Sequence, residues 1–195
     1  ENLGVYSAEL QLDPSLRNQD FGGITITFPN LGIDVYTNGD FKVDIGYPRT
    51  SSDWSRSCLI QIRSFPPLVG WAGFYFAKLR TASLSLFGDY VAKYPELNNC
   101  NIIQAGFAFR VGVGAYIDKG IFYVGASISV YGILEGAFAF DRGQGGLAKF
   151  LPDHFALRGR VGAIAELVGY VDFKIVKASI YIILRVEFGM LLVVI

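Results

Sequence analysis

Between Ile121 and Phe140 the chain runs through Val, Ile, Phe, Tyr, Ala and Ser, with Gly132 and Gly136 as its breaks. This run constrains the fold more than any other feature. Its β-branched and aromatic residues suit a pleated strand, and each interior Gly costs a helix about 1 kcal/mol. At about 3.3 Å per residue it would extend roughly 65 Å, whereas common strands have about five or six residues. A bend or bulge is expected at Gly132. The stretches Leu157–Phe173 and Ser179–Val194 read the same way. The sequence therefore predicts an all-β fold: a long, twisted, mostly antiparallel sheet, open or layered, of the kind found in an extended β-sheet scaffold. At most one short helix fits, near 86–99, where Tyr90, Val91, Tyr94 and Leu97 approach helical spacing and Pro95 limits its length.

Turn chemistry fixes the first hairpin. Thr37-Asn38-Gly39 lies between two alternating runs, and Gly39 can take the left-handed position that closes a three-residue loop. That register sets Val35 opposite Phe41 and Ile33 opposite Val43 on one face. Asp34 then meets Lys42, and Tyr36 meets Asp40, on the other. A slip of one residue would mix the faces. Leu3–Leu12 and Gly23–Phe28 are further strands, ended by Asp13-Pro14 and Pro29-Asn30.

Asp118-Lys119-Gly120 repeats the device, with Gly120 at the left-handed position. Pairing outward from it sets Ile117 opposite Ile121, Ala115 opposite Tyr123, Val113 opposite Gly125 and Tyr116 opposite Phe122. On this reading both faces of 105–140 are apolar, with small residues facing large ones. Pairing the last two runs about Ile175-Val176 sets Glu166 opposite Arg185 and Tyr170 opposite Tyr181.

The chain reads as a single β-rich unit over 1–195. Amphipathic strands occupy 1–50, the polar connector Ser51–Ser57 follows, and 58–195 is strongly apolar. Hydrophobic residues make up 52% and charged residues 17%, below the usual quarter, so much of this surface must be buried or must face lipid, ligand or another subunit. Seventeen basic residues balance seventeen acidic ones, which argues against a nucleic-acid partner. No apolar run is long enough for a transmembrane helix. The chain opens without Met and closes within an apolar run, as a piece of a longer chain would. Cys58 and Cys100 read as two buried thiols, although a pair between them is open, and they leave the compartment undecided.

Chemical motifs are sparse. His154 is the only histidine and reads as a loop residue. One His and two distant Cys lack zinc-ligand spacing. Arg142-Gly-Gln-Gly-Gly-Leu-Ala-Lys149 lacks the Ser or Thr that follows the lysine of a phosphate loop, so it reads as a connector. Trp54 and Trp71 read as core. Arg158, Arg160, Glu166 and Asp172 share one parity. With Arg185 opposite Glu166, the first three read as a polar stripe in an apolar sheet, or as the wall of a polar lumen. No catalytic residue, metal ligand or cofactor is predicted.

Tyr36-Thr-Asn-Gly-Asp-Phe-Lys-Val-Asp-Ile-Gly-Tyr-Pro48, Gly73-Phe-Tyr-Phe76 and Gly169-Tyr-Val-Asp-Phe-Lys-Ile-Val-Lys-Ala-Ser179 resemble segments of very large, strand-rich bacterial proteins of uncharacterised function. The resemblance implies that the chain is part of a longer sheet. The expected function is a non-enzymatic β-scaffold whose apolar face meets a hydrophobic partner: lipid, a membrane surface or a neighbouring module. Two alternatives are a structural subunit of a fibre, shell or injection-type assembly, joined through strand edges, and a transmembrane β-barrel with a polar lumen.

Overall fold

The computed structural model describes residues 4–48, 50–118, 122–142, 152–173 and 176–195. The strands are β1 (Val5–Leu10), β2 (Asn18–Asp20), β3 (Ile24–Thr27), β4 (Leu31–Tyr36), β5 (Phe41–Ile45), β6 (Cys58–Ile62), β7 (Leu68–Leu79), β8 (Cys100–Asp118), β9 (Phe122–Asp141), β10 (His154–Phe173) and β11 (Val176–Val194). They form one antiparallel 11-stranded sheet that does not close. Its main path is β1-β4-β5-β7-β8-β9-β10-β11, and a branch, β2-β3-β6, joins β7 beside β5. Among the described residues, helical structure is confined to the turn Pro14–Arg17 and to 3-10 turns at Ala82–Leu84, Gly88–Tyr90 and Pro95–Asn99. The segment expected to hold a short helix thus holds only 3-10 turns, with Pro95 opening the last of them.

The first hairpin forms as the turn residues require. Ile33 faces Val43, Asp34 faces Lys42 and Val35 faces Phe41. Gly39 has φ 85° and its N–H donates to the Tyr36 carbonyl. The Asn38 side chain accepts from the Asp40 N–H and donates to the Asp40 carboxylate and the Thr81 hydroxyl.

The second hairpin differs from its expected register. Val113 faces Ile128 in place of Gly125, and Tyr116 faces Gly125 in place of Phe122. Lys119 to Ile121, including the expected turn glycine Gly120, lie outside the described residues, and Asp118 ends β8. The physical reason is facial sorting. The observed register places Arg110, Ser127 and Ser129 on one face, where Arg110 Nε donates to Ser129 Oγ at 2.6 Å and Arg110 Nη2 donates to Ser127 Oγ at 2.9 Å. The expected register would set Arg110 opposite Ile128 and mix the two faces.

No bulge occurs at Gly132, because the β8–β9 register runs unbroken from Cys100↔Asp141 to Asp118↔Tyr123. The Phe109 ring fills the space beside Gly132, with a carbon 2.6 Å from where a Cβ would sit. Strands β10 and β11 pair as expected, but two residues out of the expected register. Glu166 faces Ile183, Arg185 faces Ile164 and Tyr170 faces Ser179, so the faces are right and the partners are not.

One face of the sheet is covered. The segment after β5 folds back across β7, and Gly46 and Gly73 make the crossing possible: a Cβ on Gly73 would meet the Gly46 carbonyl oxygen at 2.1 Å. This segment brings Tyr47 and Trp54 onto the sheet, and the 3-10 turns add Ala82, Phe87 and Leu97. Beneath them lie Trp71, Tyr75, Ile102, Ala108, Tyr131, Ile133 and Ile164, all buried. Trp54 and Trp71 are core residues, as their neighbours in sequence suggest. Cys58 and Cys100 are free thiols.

Candidate functional surface and the polar layer behind it

Strand alternation assigns every residue of the main path to the covered face or to the opposite, open face. The pairing registers make this assignment continuous across the sheet. On the open face lie Leu31, Ile33 and Val35 of β4, Phe41, Val43 and Ile45 of β5, and Phe74 and Phe76 of β7. They are followed by Phe107, Phe109, Val111 and Val113 of β8, and by the corresponding aliphatic and aromatic residues of β9, β10 and β11. Among the described residues of this path, the only open-face side chains with a polar group are Tyr6, Lys78 and Asn101.

The open face is bare. Phe107 is 50% exposed, Ile128 67% and Phe188 73%, although β8 and β9 lie inside the sheet. Strands β8 to β11 have 19 or 20 residues each. With about 3.3 Å per residue and about 4.8 Å between strands, their open face spans roughly 1,200 Å². The largest apolar patch on an ordinary monomer is about 300–600 Å². The amphipathic hairpin of β4 and β5 extends this surface, since its apolar face lies on the open side.

The covered face combines its core with buried polar groups, where the sequence suggested a second apolar face. It carries two charged centres. In the first, Glu166 Oε2 accepts from Arg110 Nη2 at 2.9 Å and from the Tyr116 hydroxyl at 3.0 Å. Arg110 also lies 4.0 Å from the Trp71 ring centroid. In the second, Glu135 accepts from Arg158 Nε at 2.6 Å and from the Tyr75 hydroxyl at 3.0 Å, with Arg160 Nη2 at 3.7 Å. Gln104 bridges this centre to the covering turns, donating to the Tyr75 hydroxyl and accepting from the Leu86 N–H.

Burial raises the Glu135 pKa, but the hydrogen bond and charge of Arg158 more than offset it, so the carboxyl lies below the usual range. Burial and the adjacent Glu135 carboxylate push the Tyr75 phenol up. Burial pushes the Tyr116 phenol up as well, with Glu166 adding to the shift. The phenols therefore stay protonated as donors, and each carboxylate is occupied by a guanidinium. The arrangement builds a hydrogen-bonded layer in which each carboxylate is paired.

The predicted polar stripe is placed on the covered face but divided. Arg158 and Arg160 gather around Glu135. Glu166 belongs to Arg110, and Arg185 donates to Ser51 Oγ at 2.6 Å. Asp172 pairs with Lys177 at 2.9 Å. Sequence reasoning missed Arg110 and Glu135 as the partners at these centres. The signal that finds them is the parity of β9, where Ser127, Ser129, Tyr131 and Glu135 alternate with Ile128, Val130 and Leu134. His154 is the first residue of β10, and the residues after Arg142 in the glycine-rich connector lie outside the described residues up to Leu151.

A cleft of about 780 Å³ opens above the Arg110–Glu166 centre, between the sheet and the β2-β3-β6 branch. Among the described residues, no group of three His, Cys, Asp or Glu side chains could hold a metal ion. No described helix is long and apolar enough to cross a membrane. Comparison with protein-family models, curated proteins and solved structures returns no match.

Proposed function

We propose that this chain is a non-enzymatic β-scaffold whose open sheet face carries lipid hydrocarbon. One observation supports this reading above all: across β8 to β11 the open face has no described hydrogen-bonding side chain beyond Asn101 at its margin. Protein–protein interfaces make about one hydrogen bond per 100–200 Å². A surface several times that size with nothing to donate or accept suits a partner that offers nothing in return, and acyl chains are such a partner. Burial against them is non-directional and contributes about 25 cal/mol per Å². The polar layer behind the face supports the same reading, since it keeps the charges of β8–β11 away from the hydrocarbon.

A transmembrane barrel would share this alternation of faces. Two observations favour carrying over crossing. The sheet is open, and its apolar face continues along the full strand length of roughly 60 Å, twice the hydrocarbon thickness of about 30 Å.

Flotation with zwitterionic phosphatidylcholine vesicles tests the reading. The protein is expected to float equally well at low and high salt, because the contact involves no charge. Phe107→Asp with Ile128→Asp places two carboxylates on the open face and is expected to abolish flotation while leaving the far-ultraviolet circular dichroism unchanged. Flotation restricted to anionic vesicles and lost in salt would overturn the reading, as would its absence.

A further inference from the structure

Strand β11 ends the main path, and its outer edge pairs with no described strand. It is an unusual edge. Proteins blunt long edges with prolines, bulges or short strands. Here the edge runs 19 residues, contains no proline, and holds an unbroken register with β10 from Phe155↔Val194 to Phe173↔Val176. We propose that this edge pairs with β11 of a second copy of the chain, antiparallel about a two-fold axis at Val186.

Facial sorting and charge together select that register. Even-numbered residues of β11 lie on the open face and odd-numbered ones on the covered face. A register that pairs even with odd residues would set apolar side chains among charged ones, so a residue must lie opposite one of like parity. Arg185 and Glu187 are both exposed, two residues apart on the covered side. A two-fold axis at Arg185 would oppose two arginines, and one at Glu187 would oppose two glutamates. With the axis at Val186, Arg185 of each copy faces Glu187 of the other, twice by symmetry. Ile183 then faces Gly189, repeating the large-against-small pairing seen where Tyr116 faces Gly125. On the open side, Leu184 faces Phe188 and Ile182 faces Met190. The apolar face of one copy thus continues into that of the other. This inference rests on the edge and its charges and does not depend on what covers the open face.

Cross-linking in detergent solution tests it. In a Cys58→Ser, Cys100→Ala background, Val186→Cys alone is expected to give covalent dimers with a short bismaleimide. Leu184→Cys and Phe188→Cys are each expected to stay monomeric under the same treatment, and a mixture of the two to give dimers. Directly opposed charge pairs are modest, so Arg185→Glu or Glu187→Arg alone is expected to weaken self-association about tenfold, and the double exchange to restore it. Val186, Leu184 and Phe188 are exposed, and their replacement is expected to leave folding unchanged by circular dichroism. Arg185 donates to Ser51 and Glu187 accepts from the Tyr131 hydroxyl, so the charge exchanges are compared at equal folded fraction and the cysteine pattern carries the test by itself. A chain that sediments as a monomer at every concentration overturns the proposal. So does a dimer that Val186→Cys fails to cross-link, which would indicate association through the open face or another edge.

Discussion

Gly125 has no room for a methyl group. A Cβ there would lie 2.2 Å from the Tyr116 ring, and that ring is tethered through its hydroxyl, which donates to Glu166 and shares a hydrogen bond with the Ser127 hydroxyl. Gly159, on the open face of β10, has nothing within 4 Å of its Cβ position. Gly125→Ala is therefore expected to lower unfolding free energy by about 1–3 kcal/mol, the usual cost of overpacking. Gly159→Ala is expected to change it by no more than about 0.5 kcal/mol, as for other unencumbered surface sites. Denaturant midpoints for the two variants check the contrast.

Glu135 gives a pH signature at the same scale. Its carboxyl is held below its usual value in the folded chain, so its contribution is complete above the unfolded value of 4.5 and is lost as pH falls through the folded value. Stability is expected to decline as pH drops below about 4.5. Glu135→Gln should flatten part of that decline and cost about 1.5–3 kcal/mol at neutral pH, the range for a hydrogen bond to a charged group. Thermal melts of both proteins across that window provide the measurement.

Between elements, Arg110 does most to explain the arrangement of strands. It links β8 to β9 through Ser127 and Ser129, and to β10 through Glu166. Arg110→Met leaves Glu166 without its cation and is expected to cost about 3–5 kcal/mol, whereas Arg110→Met with Glu166→Met is expected to come close to neutral. A double-mutant cycle by chemical denaturation measures the difference.

Arg110 also marks the limit of what the sequence discloses. The Ile33–Val43 hairpin was legible because Thr37-Asn38-Gly39 fixes its own loop. The β8–β9 register was not. There a contact between Arg110 and side chains seventeen and nineteen positions away overrides the local preference of Asp118-Lys119-Gly120. The β10–β11 pairing is legible as faces, since parity survives a shift of two residues, but not as partners, since Glu166 faces Ile183 and Arg185 faces Ile164. The open apolar face was half legible. Composition left open whether the apolar surface is buried in a large core or faces a partner, and only the registers show that much of it gathers on one side.

For the molecule as a whole, the covered face has its own core and polar layer, and the open face has no cover within the described chain. The lipid reading requires that hydrocarbon meet the open face and not the covered one, and the native indoles of Trp54 and Trp71 both lie on the covered side. An indole introduced by Ile128→Trp would stand on the open side. The most direct measurement is fluorescence quenching of the native and Ile128→Trp proteins in bilayers of acyl-brominated phosphatidylcholine. Strong quenching of the added indole, with Trp54 and Trp71 unaffected, is the predicted result. An added indole that escapes quenching, or native indoles quenched equally with it, would contradict the account.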